Sequence, residues 1–350
     1  MTPDSILQYP HPDLPAPAHT LEVAPGVHWL RMPLPFELNH INLWLLEEEG
    51  GWTIVDTGLG IEPTRALWDR FFASAPGGRP VRRVIVTHHH PDHVGNAGWL
   101  TARFGVDLWM SYSEFMSAHA VRDSVAGYSV AQLIGMFEHN GLEGPDLDQM
   151  KQRGNPYRRN VPEFPASFRR LTDGLELDIG AHRWRVIMGY GHSPEHAALY
   201  CEALQVLISG DMVLPKITTN VSVWGVEPEG NPLKLFLDSL DRYAALPAGT
   251  LVLPSHGLPF VGLHERIAQL FEHHRLRLGE LLEVCGKPRT AAQAIPTLFR
   301  RKLDLHGMFF AMGEVMAHMH LLYGDHRLAR STGSDGVIRY CIPGTAEKTQ

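Results

Sequence analysis

The stretch THHHPDHVGNAG at 87–98 crowds four histidines and an aspartate together: His88, His89, His90, Asp92 and His93. Imidazole nitrogens and carboxylate oxygens are donors that zinc, iron and manganese accept, so this density points to metal binding. Residues two apart at a strand end face the same side. His88 and His90 can therefore grip one ion while His89 points away. On a helix the same spacing turns about 200° and does not chelate. Asp92 and His93 then turn the corner toward a second ion. Gly95 and Gly98 let the backbone pack closely where a helix begins. The run is internal and broken by Pro91 and Asp92, which excludes an expression tag.

Further donors stand downstream in matching contexts: His192 in GYGHSPEH, Asp211 in LISGDM and His256 in LVLPSHG, each after strand-like sequence. With His88, His90, Asp92 and His93 they make five histidines and two aspartates, enough for two ions with positions open to water and substrate. A structural zinc favours a closed set of four, usually with cysteine. Cys201, Cys285 and Cys341 do not join the pattern, so a catalytic centre is expected.

The elements that must aim these donors alternate along the first half. GVHWLRMPLP and INLWLLEEEGGWTIVDTG read as strands. EPTRALWDRFFA reads as a helix with Pro63 near its start, and VRRVIVTHHH as a strand delivering the histidines. RWRVIMGYGHS, ALYCEALQVLISGDM and GTLVLPSHG continue the strand pattern. Residues 111–170 read as helices plus a Pro- and Arg-rich loop inserted at the sheet edge, either as packing or as a substrate cap. From about 264 the pattern is helical, with Thr290 as an N-cap, and STGSDGVIRYCIPG closes the chain as a hairpin or wing.

Bulk properties narrow the class. The 350-residue chain is 44% hydrophobic and 20% charged with net charge −7, an ordinary globular composition that disfavours a general nucleic-acid or anionic-membrane binder. Three scattered cysteines argue for a reducing compartment. The N-terminus lacks a basic and an apolar region, and no apolar run is long enough to span a bilayer. A cytoplasmic protein acting on a small molecule, with no membrane partner, is expected.

The ordered set H-x-H-x-D-H, then His192, Asp211 and His256, resembles the metallo-β-lactamase fold hydrolases, and VDTG at 55–58 resembles that superfamily's opening motif. The likeness spans about residues 20–262. It implies an α/β fold, an αββα sandwich, for a catalytic domain of residues 1–262 with its helical insertion at about 111–170. A small C-terminal helical, winged-helix-like domain would occupy 263–350. The resemblance also implies roles. His88, His90 and His192 would bind the first metal, and Asp92, His93 and His256 the second. Asp211 would bridge both, and Asp56 would support the base of the site without ligating. A histidine at 256 and the aspartate at 92 look more like the glyoxalase II, lactonase and RNase Z branches than lactamases with a cysteine ligand. GHSPEH resembles an element of glyoxalase II and of the β-lactamase-like protein 2 group, and GKPRTAAQAIPTLF resembles the latter's C-terminal domain. The long gap from His93 to His192 and the lack of a glutathione-binding basic set argue against glutathione thioesters.

Two divalent ions about 3.5–4 Å apart can share a hydroxide made near neutrality. The implied activity is attack by that bridging hydroxide on an ester-like carbonyl, a thioester or lactone, with Asp92 and Asp211 as the catalytic carboxylates. Zinc is the expected metal, and the same donors suit iron or manganese. A metal-dependent ribonuclease is the alternative. Residues 271–330 hold nine Lys or Arg against six Asp or Glu, a weak basic excess for an RNA path. A sulfur dioxygenase with one iron and three ligands is the third reading, opposed by the complete second set.

The remaining candidates carry bland readings too. Arg153, Tyr157, Arg158 and Arg159 could grip an anionic substrate portion, against a solvated charge run. Lys216 and Asn220, on a loop expected at the site rim, are candidate substrate contacts. His196 reads as a buried hydrogen-bonding residue, and Glu195 as a proton shuttle or a solvated side chain. His273, His274, His318 and His320 read as satisfied core histidines. Phe309, Met312, Met316 and Met319 read as core or as a homodimer contact, against an acyl-binding groove.

Overall fold

The computed structural model describes residues 7–36, 38–74, 78–152 and 154–344. In chain order the elements begin with β1 (Leu21–Ala24), β2 (Val27–Pro33), β3 (His40–Glu48), β4 (Gly51–Val55), α1 (Glu62–Ala73), β5 (Val81–Ile85), α2 (Pro91–Val94), α3 (Ala97–Phe104) and β6 (Leu108–Ser111). Then come α4 (Tyr112–Arg122), α5 (Val130–His139), α6 (Pro145–Gln152), α7 (Pro156–Asn160), β7 (Arg169–Leu171), β8 (Glu176–Ile179), β9 (His182–Gly189), β10 (His196–Cys201) and β11 (Val206–Gly210). The chain ends with α8 (Pro232–Ala244), β12 (Leu251–Pro254), β13 (Phe260–Val261), α9 (Leu263–Val284), α10 (Ala291–Leu298), α11 (Leu305–Gly324), β14 (Ala329–Thr332) and β15 (Ile338–Cys341).

The chain packs into two compact units, each built from three segments. The first takes residues through 122, 157–219 and 239–267; the second takes 123–156, 220–238 and those from 268. The first unit holds a seven-stranded sheet ordered β1-β2-β3-β4-β5-β6-β7 and a six-stranded sheet ordered β13-β12-β11-β10-β9-β8. Apolar alternation along the early strands explains the layering. Val27, Trp29, Trp44, Leu46 and Val55 enter a core shared with Trp184, Val186, Leu199, Ile208 and Leu253 of the other sheet. Leu30, Met32, Ile41, Leu43, Leu45 and Ile54 enter a second core with Trp68 and Phe71 of α1 and Leu100 of α3. A strand apolar on both faces must be covered on both, so one face meets a sheet and the other meets helices. On the six-stranded sheet, Ser239 Oγ accepts the Tyr190 N–H at 2.9 Å and Arg242 donates to the Met188 carbonyl at 2.6 Å, which fixes the end of α8 against β9. The layer order is therefore helix, sheet, sheet, helix.

The second unit gathers α5, α6, α10, α11 and the antiparallel β14–β15 hairpin. Thr290 caps α10 in a reciprocal capping box with Gln293. The helices at 130–152 belong to this unit and not to the first. The Ala292 N–H donates to the Asn140 carbonyl at 3.2 Å, and Phe137 meets Phe309 edge to face at 5.8 Å. The division by packing thus interleaves along the chain, whereas the sequence suggested one boundary after residue 262. Met312, Met316 and Met319 are buried in α11. His318 Nδ1 lies 2.8 Å from the Glu314 carbonyl and His274 Nδ1 3.0 Å from His318 Nε2. His320 Nδ1 lies 2.8 Å from the Gly230 carbonyl. No helix among the described residues is long and apolar enough to cross a membrane.

Candidate metal centre

Each of the seven donors follows the end of a strand. β5 leads into the turn with His88, His90, Asp92 and His93; β9 precedes His192, β11 precedes Asp211, and β12 precedes His256. β4 runs parallel to β5 with Val55 beside Ile85, which brings Asp56 beneath the histidine turn. Two bonds stitch the sheets together here: the Ala197 N–H donates to the Thr87 carbonyl at 2.8 Å and the Asn42 N–H to the Ser255 carbonyl at 2.7 Å. Gly95 lets the chain close on itself, since a Cβ there would lie 2.4 Å from the Gly60 nitrogen.

The donors fall into two groups that could hold a metal ion, His88, His90, His192 and Asp211 in one, and Asp92, His93 and His256 in the other. In the first, His88 Nε2 lies 3.0 Å from His90 Nδ1 and 3.2 Å from His192 Nε2. In the second, His256 Nε2 lies 3.4 Å from Asp92 Oδ2, and His93 Nε2 lies 3.8 Å from the same oxygen. Asp211 faces both groups with different oxygens. Its Oδ2 is 3.4 Å from His192 Nε2, while its Oδ1 is 3.6 Å from His93 Nε2 and 3.5 Å from His256 Nε2.

Hydrogen bonds behind the rings fix which nitrogen is presented. His93 Nδ1 donates to Asp56 Oδ2 at 2.8 Å, which leaves Nε2 toward the centre. Asp56 also accepts the Thr87 backbone N–H at 2.8 Å and the Thr87 hydroxyl at 2.9 Å. His256 Nδ1 donates to the His40 carbonyl at 2.7 Å. His196 lies beside the donors but accepts the Asp211 backbone N–H on Nε2 at 3.2 Å, so it positions Asp211. Gly210 is required there, since its φ is +54° and a Cβ would lie 2.2 Å from His196 Nε2.

The two groups differ electrically. Burial, then the crowd of neighbouring imidazoles, drives His88 and His90 well below the usual histidine range. Burial also opposes charge on His93 and His256, but the carboxylates outweigh it and raise both: Asp56, Asp211 and Asp92 for His93, Asp211 and Asp92 for His256. Burial pushes the His196 ring down to about 4.

The other candidates lie as follows. Tyr157 does not offer its hydroxyl to a ligand: it is buried and donates to the His89 carbonyl at 2.5 Å, because α7 packs into the helix-side core. Arg158 and Arg159 are exposed on α7, and Arg153 lies outside the described residues. Lys216 is exposed, and its carbonyl accepts from Arg266 at 3.2 Å. Asn220 belongs to the second unit, where it donates to Glu314 at 3.4 Å and accepts from Ser222 at 2.8 Å. Glu195 Oε2 accepts the Ser113 N–H at 3.1 Å. The His40 carbonyl escaped sequence reading because backbone acceptors carry no residue-type signal. Thr87 carried only its place beside the histidine run.

His93 Nε2 and Asp211 Oδ1 are buried without a hydrogen-bond partner. Native proteins rarely leave such atoms orphaned, and a cation held between them would satisfy both. The donor set, nitrogen and oxygen with no sulfur, suits a divalent ion of zinc, iron or manganese type. The residues fit the group.

Residues 37–256 match the metallo-beta-lactamase superfamily and residues 278–342 match the metallo-beta-lactamase-like C-terminal domain. The chain is similar to a crystal structure of a beta-lactamase domain protein from Burkholderia ambifaria, with 49% identity, TM-score 0.92, and coverage of 98% of this chain and 100% of that one. It is 24% identical to the "Probable metallo-hydrolase YqjP" of Bacillus subtilis over 85% of this chain and 92% of that protein. It is 27% identical to a hydroxyacylglutathione hydrolase of Albidiferax ferrireducens over 64% of this chain and 65% of that protein. With a donor cluster at the strand ends and both domains matched, the chain belongs to the metallo-beta-lactamase superfamily and is a metallo-hydrolase of that superfamily.

Proposed function

We propose that His88, His90, His192 and Asp211 hold one divalent ion and Asp92, His93, His256 and Asp211 a second, zinc in the first instance, and that the protein hydrolyses an ester-like carbonyl bond of a small molecule, a thioester or a lactone. The observation that carries this reading is the Asp211 carboxylate, with Oδ2 toward the first histidine set and Oδ1 toward the second. When bound, such a pair supplies water acidified toward neutrality and positive charge against a developing oxyanion.

The chain's own residues do the positioning. Asp56 and the His40 carbonyl take the Nδ1 protons of His93 and His256, so both rings present a lone pair on Nε2. His196 accepts the Asp211 N–H and holds that carboxylate at the junction of the two sets. Asp92 is the more accessible of the two donor carboxylates, its side chain 20% exposed against 11% for Asp211, and orients the attacking water. Similarity to a hydroxyacylglutathione hydrolase supports a thioester as the bond attacked. The buried free thiols Cys201, Cys285 and Cys341 fit a reducing cytoplasm.

Purified protein assayed against acyl-CoA, acylglutathione, lactone and RNA, with and without chelator, tests the reading. Thioester or lactone turnover that chelation abolishes and added metal restores is expected. RNA cleavage that falls steeply with salt, with no turnover of the small substrates, would replace it with the nuclease reading.

A further inference from the structure

Behind the turn that carries His88 and His90 lies a carboxylate that belongs to neither donor set. Glu114, in α4, is fully buried. A buried carboxylate persists only if its lone pairs are satisfied, so its partners say what it is for. Its Oε2 accepts the backbone N–H of His89 at 2.9 Å and His89 Nδ1 at 2.5 Å. Its Oε1 accepts the backbone N–H of Glu195 at 2.8 Å. His89 sits between the donors His88 and His90, and Glu195 lies three residues after His192. One side chain thus ties together the two segments that supply all three imidazoles of the first set.

Neighbouring bonds close this brace. Tyr157 donates to the His89 carbonyl at 2.5 Å, and the Ser111 hydroxyl donates to the Glu195 carbonyl at 2.8 Å. His89 is therefore held at its backbone N–H, its ring and its carbonyl. Burial alone would raise Glu114, but His89, followed by the Glu195 N–H, pulls it down to about 2, so it stays a carboxylate at neutral pH. A residue that only filled the core would not need both oxygens spent on two separate donor loops.

We propose that Glu114 is the positioning residue of the first metal site: it sets the spacing of His88 and His90 against His192 by clamping His89 and Glu195 from behind. The second set does not use it, since Asp56 and the His40 carbonyl stand behind His93 and His256. Replacing Glu114 should therefore damage one half of the centre and spare the other. A purely structural role would weaken both halves in step with stability.

This inference rests on the dinuclear reading, and the wild-type protein tests that reading first. Cobalt(II) is titrated into metal-free protein, with bound ions counted by elemental analysis and the sites told apart by their visible absorption. His93→Ala supplies the spectrum of the first set and His90→Ala that of the second. The wild type is expected to bind two ions; failure to do so removes the dinuclear reading itself. Given two, Glu114→Gln, which turns an amide N–H₂ toward either the Glu195 N–H or the two N–H groups of His89, is expected to bind the first-set ion about 10–100-fold more weakly. Its second-set spectrum is expected to stay unchanged. Two ions at wild-type affinity in Glu114→Gln, or equal weakening at both sites, overturns the proposal. If Glu114→Gln does not fold, His89→Phe removes the ring contact and leaves the carboxylate. The same one-sided loss is then expected, and an even loss or none contradicts it.

Discussion

The two halves of the centre reach the same end by different means. In the second set, acceptors stand directly behind the rings: Asp56 behind His93 at 2.8 Å and the His40 carbonyl behind His256 at 2.7 Å. In the first, the Thr87 hydroxyl lies 3.1 Å from His88 Nδ1, and Glu114 grips the chain on either side of the donors from one layer further out. Their electrostatics divide along the same line. Carboxylates hold His93 and His256 above the usual imidazole range, while burial and mutual repulsion hold His88 and His90 below it. A donor can thus be fixed through its ring or through its loop, and the two designs are expected to fail differently when a carboxylate is removed.

The largest effect should come from the one residue the halves share. Asp211→Ala is expected to release both ions and lower hydrolysis by more than about 100-fold, beyond the usual 10–100-fold loss for an outer partner; retention of either ion at wild-type affinity would break the symmetry assigned to its two oxygens. Next, Asp56→Asn should act mainly on the other half, weakening the second ion about 10–100-fold and the first, which Asp56 reaches only through the Thr87 hydroxyl beside His88, much less. A titration in which the two variants lose the same ion would erase the distinction between the halves.

A smaller effect concerns acid stability. Burial opposes charge on Glu114, but His89 holds its carboxyl down to about 2, below the ordinary glutamate value of 4.5. A carboxylate lowered in this way contributes stability that is present above pH 4.5 and lost as the pH falls toward 2. The contribution is on the order of 3 kcal/mol. Acid unfolding of metal-free protein should therefore flatten between pH 4.5 and 2 in Glu114→Gln, and an unchanged acid limb would count against the brace. Smallest of all, Tyr157→Phe removes one hydroxyl bond to the His89 carbonyl. It should cost about 1 kcal/mol in thermal unfolding, plus the penalty of an unpaired carbonyl, and less than tenfold in first-site affinity. A loss at the second site would be the wrong sign for this account.

Much of the centre was legible in the sequence because its information is local. His88 and His90 share a face through strand periodicity, and the glycines and prolines around His192, Asp211 and His256 mark strand ends. Period-two apolar alternation in 27–55 likewise announces strands covered on both faces. What stayed hidden is what depends on long-range packing. Glu114 is a lone acid in an ordinary helix, and only the fold brings it against residues 25 and 81 positions away. Tyr157 stands in an arginine-rich stretch that reads as solvated, yet its ring turns inward to the helix-side core. The helices at 130–152 carry apolar faces with no local sign of their partner, so a contiguous C-terminal domain was the natural reading.

On the proposed reading Asp211 joins two donor sets into one dinuclear centre. Counting divalent ions bound per chain at equilibrium, in wild type and in Asp211→Ala, tests it most directly. Two ions in the wild type and loss of both in the variant are expected under the same metal-buffered conditions. A wild type that holds a single ion, or a variant that still holds two, would contradict it.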